Sequence, residues 1–279
     1  MVEIVEKKIL AQGLGTRIIQ LEIKSPEISK KSHAGQFVVL MVSEKGERIP
    51  LTIVDKDEEK GTITLIFQEV GLTTKLLGKL KEGDFLYALT GPLGNPTEIK
   101  NYGKVILLGG GVGIAEIYPV EKALKEKGNY LIVILGARTK DLLILEEKIR
   151  KFADRVYITT DDGSYGRKGF VTDVLNELLG KDNFALVYAV GPISMMKKVS
   201  EITKDFKIRT IVSLNALMVD GTGMCGCCRV TVNKETKFSC IDGPEFEAQG
   251  IDWEELEKRT KMYQDKEAHI CKLYNETTC

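Results

Sequence analysis

The rhythm of hydrophobic and polar positions changes twice along the chain. Up to about residue 100 the apolar residues come in short runs: GTRIIQLEIKS, QFVVLMVS, IPLTIVD, GTITLIFQEV and DFLYALTGP. Each is rich in Val, Ile, Leu, Phe and Thr and is punctuated by Gly, Pro or Lys-Glu, as strands joined by turns are. Strands at this spacing predict a small antiparallel barrel or sandwich. The one helix expected here covers TKLLGKLKEG.

Near residue 103 continuous apolar runs begin to alternate with amphipathic ones. KVILLG, YLIVILGA, RVYITTDD and FALVYAVG read as buried strands. The segments between and after them, GGGVGIAEIYPVEKALKEKGN, DLLILEEKIRKFA, FVTDVLNELLGKDN and SMMKKVSEITKDF, read as helices. Such alternation predicts βαβ units on a parallel sheet. From residue 213 the pattern changes again, to a hairpin (CRVTVN and KFSCID around KET) and a charged helix, DWEELEKRTKMYQDKEAH. The expected division is a barrel over residues 1–100, an α/β domain over 101–212 and a C-terminal module over 213–279.

Composition narrows the function classes. A chain of 279 residues suits about two domains with real cores. Lys+Arg and Asp+Glu both number 40, which leaves no electrostatic footprint for nucleic acid or an acidic membrane surface. The N-terminus lacks an apolar signal core, and no run approaches the ~18 apolar residues of a membrane span. The expected location is therefore the cytoplasm. All six cysteines fall in the last module; in that compartment clustered cysteines are more often metal ligands or redox groups than disulfides.

KVILLGGGVGIAEIYP sets Gly109, Gly110, Gly111 and Gly113, with Val112 among them, between a buried strand and a helix. Backbone N–H groups and the helix dipole then converge on one point, and glycines let a pyrophosphate approach. The plainer reading is a turn that uses glycine only for packing. Asp161 and Asp162 end the third strand, where a carboxylate accepts from a ribose 2′-hydroxyl and repels a 2′-phosphate. They favour NAD(H) over NADP(H), while Arg138 argues the other way. A solvated turn or helix cap is the plain alternative for both.

MVDGTGMCGCC, residues 218–228, carries the metal chemistry. Two residues separate Cys225 from Cys228, and Cys240 lies beyond the hairpin. Plant-type [2Fe–2S] proteins use cysteine, four residues, cysteine, two residues, cysteine, then a distant cysteine. Asp220 occupies the first of these positions, so Asp220, Cys225, Cys228 and Cys240 form the expected ligand set, with Cys227 outside it. The alternatives are a zinc site completed by Cys271 or His269, a dithiol switch through Cys227 or Cys228, and plain burial. Cys271 and Cys279 read as structural or free thiols.

The glycine turn resembles the GGGxGxxP-type turn of the ferredoxin–NADP reductase superfamily, and VYAVGPISMM fits the same superfamily. The resemblance implies that Gly191, Pro192 and Met195 lie beside the nicotinamide; helix packing is the plain alternative for the methionine. It also implies an FAD-binding barrel. In ERIPLTI, Thr52 takes the place of a hydroxyl near the flavin ring, with Pro50 and Leu51 along the ring. Arg48 stands one residue before the superfamily's pyrophosphate arginine, a shift that turns a strand side chain to the other face. EVGLTTKLLGKLKEGD resembles a second phosphate loop with Gly71, Thr73 and Thr74, and GPLGNP fits as well.

Over essentially the whole length, MVDGTGMCGCCRV and FSCIDGPEF included, the chain resembles the small subunits of NADH-dependent ferredoxin:NADP oxidoreductases, also described as sulfide dehydrogenases. The electron-transfer subunits of dihydroorotate dehydrogenase, with four cluster cysteines, are the second resemblance. The first implies electron transfer among NAD(H), FAD and a [2Fe–2S] cluster, with no side chain acting as a catalytic acid or base. It also implies a larger partner subunit with a second FAD, [4Fe–4S] clusters and an NADP(H) site, and electron bifurcation that involves ferredoxin. A reading of another class is a zinc-stabilised nucleotide-sensing module.

Overall fold

A computed structural model describes residues 2–277, with side chains through Leu273. The N-terminal part comprises β1 (Val2–Gly13), β2 (Thr16–Lys24), α1 (Pro26–Lys31), β3 (Phe37–Met41), β4 (Arg48–Asp57), β5 (Thr62–Gln68), α2 (Leu72–Lys79), β6 (Phe85–Leu86) and β7 (Ala88–Leu93). Its antiparallel strands run β6-β1-β2-β5-β4-β3-β7. The two end strands follow each other in sequence, so the sheet curls into a nearly closed barrel. Alternation along the strands serves two cores. Ile19, Ile53 and Leu65 fill the barrel. Their neighbours Ile18, Val54 and Ile66 face outward into a core shared with the next domain. The expectations did not include β1. Register shifts at Ile4/Glu6 and Ile9/Ala11 break its period, leaving Val5 and Ile9 exposed while Ile4 is buried.

The second part holds β8 (Lys104–Gly110), α3 (Gly113–Glu126), β9 (Tyr130–Ala137), α4 (Glu146–Ile149), β10 (Arg155–Thr160), β11 (Arg167–Lys168), α5 (Val171–Leu179), β12 (Leu186–Val190), α6 (Ile193–Asp205) and β13 (Thr210–Ser213). The order β11-β10-β9-β8-β12-β13 is parallel throughout. The chain leaves β8 first toward β9 and later returns on the other side at β12, so a switch point opens at their carboxyl ends, where such sheets bind ligands. The helix expected over DLLILEEKIRKFA shrinks to a 3-10 turn at Lys140–Leu142 and the four residues of α4. Leu145 is left-handed with φ 56°. The apolar run there is spent on burial: Leu142 and Ile144 are sequestered, and the turn packs against β1.

The last part has β14 (Arg229–Val232), β15 (Glu235–Phe238), β16 (Glu245–Glu247), α7 (Trp253–Thr260) and α8 (Gln264–Thr277). The hairpin turns at Asn233 and Lys234, both at positive φ, rather than at KET. The long charged helix is broken in two at 261–263. β16 adds antiparallel to β13, which extends the nucleotide-domain sheet with a strand from the cysteine module. Cys228 and Cys240 are buried with Phe37 and Val39 of β3, Ala216 and Met218. No helix among the described residues is long and apolar enough to cross a membrane. Cys279 lies outside the described residues.

Candidate functional site: a two-domain cleft beside a cysteine loop

A cleft of about 710 Å³ separates the barrel from the switch point of the sheet, within the size range of cofactor sites. Its barrel wall includes Pro50, Leu51, Thr52, Gly71, Thr73 and Thr74; its other wall includes Gly110, Gly111, Val112, Gly113, Gly191 and Pro192. Residues expected to hold two different ligands therefore face one space. Phe37 and Met218 line the cleft and also pack with the buried cysteines, so the two sites share a wall.

The glycine turn is shaped by close approach. Gly111 has φ +57°, and its N–H donates to the Gly136 carbonyl at 2.8 Å. A Cβ on Gly113 would lie 2.3 Å from the Val190 carbonyl oxygen, so only glycine lets α3 start this near β12. The N-terminus of α3 thus opens on the cleft, ready for an anion. Met195 stands behind the turn: a Cβ on either Gly110 or Gly191 would strike it, and it does not line the cleft. Asp161 and Asp162 are exposed after β10, on the same carboxyl edge of the sheet and outside the cleft lining. Asp162 accepts from the Ser164 N–H and hydroxyl, which hold its carboxyl below the usual range.

On the barrel side, Arg48 is exposed, donates to the Met41 sulfur at 3.4 Å and does not line the cleft. The cation on the wall is Lys45, in the loop before β4. Gly71 caps α2; Thr74 Oγ1 accepts from the N–H groups of Val70 and Gly71, both at 3.0 Å. Thr73 donates to Glu47 Oε2 at 2.5 Å. An apolar strand face for a ring, a helix N-terminus and one lysine for phosphates fit FAD.

Three wall features escaped the sequence. Lys45 is an ordinary loop lysine until the fold places it. Glu267 and Ile270 of α8 reach the wall, and α8 packs on α2. Glu116, in the first turn of α3, accepts from Thr52 Oγ1 at 3.1 Å. Burial pushes its carboxyl up to about 7, opposed by the Thr52 hydrogen bond. The available signal was a lone carboxylate just inside a glycine-turned helix.

The candidate donors of the cysteine loop come as two pairs. Cys228 and Cys240 are buried with sulfurs 3.2 Å apart. Burial and the neighbouring Cys228 push the Cys240 thiol up to about 12. Asp220 and exposed Cys225 form the other pair: Asp220 Oδ2 accepts from the Cys225 N–H at 3.0 Å, and Oδ1 from Thr222 at 2.8 Å. Backbone N–H groups also face sulfur, from Cys227 to Cys225 and from Cys240 to Cys228. Gly223, at φ +82°, sits where a Cβ would press into Ile241. No three His, Cys, Asp or Glu side chains among the described residues converge as one metal ion needs. Two pairs of donors with N–H groups around the sulfurs suit a two-iron cluster. Cys227 is half-buried, and its carbonyl accepts from Arg259. His269 and Cys271 sit on α8.

Residues 215–252 match the family described as the iron–sulfur cluster binding domain of dihydroorotate dehydrogenase B. Residues 107–201 match the oxidoreductase NAD-binding domain. A Thermotoga maritima protein named as a homolog of the dihydroorotate dehydrogenase B (NAD(+)) electron transfer subunit is 49% identical over 95% of this chain and 92% of its own length. The chain belongs to this family of electron-transfer subunits. Like its family, it is an oxidoreductase component of the ferredoxin–NADP reductase fold, with FAD, a [2Fe–2S] cluster and NAD(P)(H) as its cofactors. A solved chain from a study of the NADH-dependent reduced ferredoxin–NADP oxidoreductase and flavin-based electron bifurcation is 46% identical. It superposes with a TM-score of 0.92 over 100% of this chain and 98% of its own. Ferredoxin–NADP+ reductase from Plasmodium falciparum, 16% identical, covers 73% of this chain and 88% of its own with a TM-score of 0.58, which shows the fold alone. Cys225, Cys227, Cys228 and Cys240 thus fall within an iron–sulfur module, and the zinc reading falls.

Proposed function

We propose that the chain is the small electron-transfer subunit of a complex linking NADH, ferredoxin and NADPH. NAD(H) supplies or takes a hydride, flavin converts pairs of electrons to singles, and the cluster carries singles. Gly110–Gly113 receive the dinucleotide pyrophosphate, and Asp161 and Asp162 the adenosine ribose, which favours NAD(H). Gly191 and Pro192 flank the nicotinamide, with Met195 holding the two turns together from behind. Pro50, Leu51 and Thr52 flank the flavin ring. Gly71, Thr73 and Thr74 at the start of α2, with Lys45, receive its phosphates; Arg48 points elsewhere. Asp220 with Cys225, and Cys228 with Cys240, each hold one iron.

The observation that carries this reading is Asp220, paired with Cys225 where plant-type spacing puts the first ligand cysteine. The full-length similarity to the chain of the ferredoxin–NADP oxidoreductase study supports it. The competing reading is a dihydroorotate dehydrogenase subunit, which the name of the Thermotoga maritima relative favours. Isolation of the native complex separates the two. A larger subunit with [4Fe–4S] clusters, and ferredoxin reduction by NADPH that depends on NAD+, is the expected result. A partner that oxidises dihydroorotate overturns it.

A further inference from the structure

The C-terminal arm leaves the cysteine module and returns to the barrel. Its first helix, α7, is anchored: Leu256 is buried in a core of the nucleotide domain, and Arg259 donates to the Cys227 carbonyl at 2.8 Å. The chain then breaks at 261–263, and α8 packs on α2. Glu267, Ile270 and Cys271 follow the three-and-four spacing of one helix face. Glu267 and Ile270 line the cleft, and Cys271 is the one half-buried side chain of the described part of α8. The helix therefore joins the cleft wall at its α2 end and completes no core of its own. Three observations at that end point to a ligand. Of the large apolar side chains exposed among the described residues, two line the cleft: Val70, just before α2, at 71%, and Ile270, at 44%. Apolar groups on one concave wall are stabilised by covering a flat ring. The Glu267 carboxyl has no hydrogen bond or ion pair with any described residue. Finally, Ile49 stands where the superfamily has its pyrophosphate arginine, and Arg48 does not line the cleft. The far half of a flavin dinucleotide must then be held by other groups.

We propose that α8 is a strap over the adenosine half of FAD and the element that selects FAD over FMN. This rests on the flavin reading of the cleft. The apolar strand face of β4 and the start of α2 serve the ring and the phosphate that both flavins share. FAD alone carries a second phosphate with an adenosine beyond it. Ile270 and Val70 cover the adenine, which removes their exposed apolar surface from water. The Glu267 carboxylate accepts from a ribose hydroxyl, the same pairing that acidic residues make in dinucleotide sites. Lys45, on the same wall, offsets the charge of the added phosphate. The neighbouring carboxylate, Glu47, already accepts from Thr73, so Glu267 is the acidic group left for the ribose. The base of the strap is fixed by α7, whereas α8 itself is exposed along most of its described length. Such a segment opens at low cost, so the cofactor enters with the strap lifted and is held when it settles on α2.

The test uses the full-length chain, stripped of flavin and reloaded with FAD or FMN, with flavin fluorescence reporting binding and release. A wild type that takes up neither flavin refutes the flavin reading of the cleft. The wild type should bind FAD about tenfold or more tighter than FMN. Equal affinities overturn the strap and leave the flavin reading standing. Ile270→Asp should weaken FAD binding about tenfold or more and speed its release, with FMN unchanged, because FMN has no adenosine to cover. Ile270→Leu, which keeps an apolar contact, should bind both flavins as the wild type does. Glu267→Gln should weaken FAD severalfold and again spare FMN. Losses that are equal for FAD and FMN overturn the proposal, since they would show general damage to the barrel. Wild-type FAD affinity and release in both Ile270→Asp and Glu267→Gln overturn it as well, as a helix face that serves only the larger subunit would give.

Discussion

Thr52 Oγ1 and Glu116 Oε2 meet at 3.1 Å across the seam between barrel and sheet. The bond joins β4 to the first turn of α3, and nearly two turns further along the helix Lys122 pairs with Asp55 of the same strand at 2.9 Å. Two polar contacts therefore fix the angle at which the walls of the cleft face each other.

The buried carboxyl makes stability depend on pH. Glu116 is raised from 4.5 to about 7, so between these values the folded chain holds a proton that the unfolded chain has released. Stability contributed by the protonated group is complete below about 4.5 and is lost as pH rises toward 7. Glu116→Gln should flatten that slope, with a gain of up to about 3 kcal/mol at pH 8. Urea denaturation at pH 5 and pH 8 reads it; an unchanged slope refutes the assignment.

Glu121 is the second case on α3. Both of its carboxylate oxygens are buried without a hydrogen-bond partner, and burial pushes it up to about 8, against the pull of Lys125. Glu121→Met, close in volume, should stabilise the protein at pH 9 by roughly 1–3 kcal/mol and do much less at pH 5. Destabilisation at pH 9 would show a role that burial does not explain.

Gly113 leaves no room for a side chain. Gly113→Ala should lever α3 off β12, cost roughly 1–3 kcal/mol and weaken NADH binding sharply. Fluorescence titration with NADH measures this, and wild-type affinity would remove the turn from the nucleotide site.

At the cysteine loop, Asp220→Ala should lose or destabilise the cluster, Cys240→Ser should lose it, and Cys227→Ser should keep it. Iron and acid-labile sulfide per chain, with the visible spectrum, decide the matter. Cluster loss in Cys227→Ser together with retention in Asp220→Ala would exchange the two residues' roles.

Periodicity made most of the fold legible, because β2, β5, β8, β9, β10 and β12 carry unbroken patterns, whereas the two exposed residues of β11 carry none. It failed where burial served tertiary needs rather than local ones. The bulges of β1 shift its alternation, and the leucine run before α4 packs against the barrel instead of forming a helix. Spacing picked out the proposed donor set of the cysteine loop, since those residues lie within one short loop and just past β15, which returns to it.

Elements, the glycine turn and the cysteine spacing were decided by the sequence itself, because each depends on residues near one another in the chain. Only the tertiary structure decided that Arg48 turns from the cleft and Met195 stands behind it. It also brought Glu116 to Thr52, and Tyr188 to Glu245. Those outcomes follow from how a barrel wall, a helix start and a late strand pack together. Residues up to 148 positions apart, as Thr97 and Glu245 are, leave no local pattern to read.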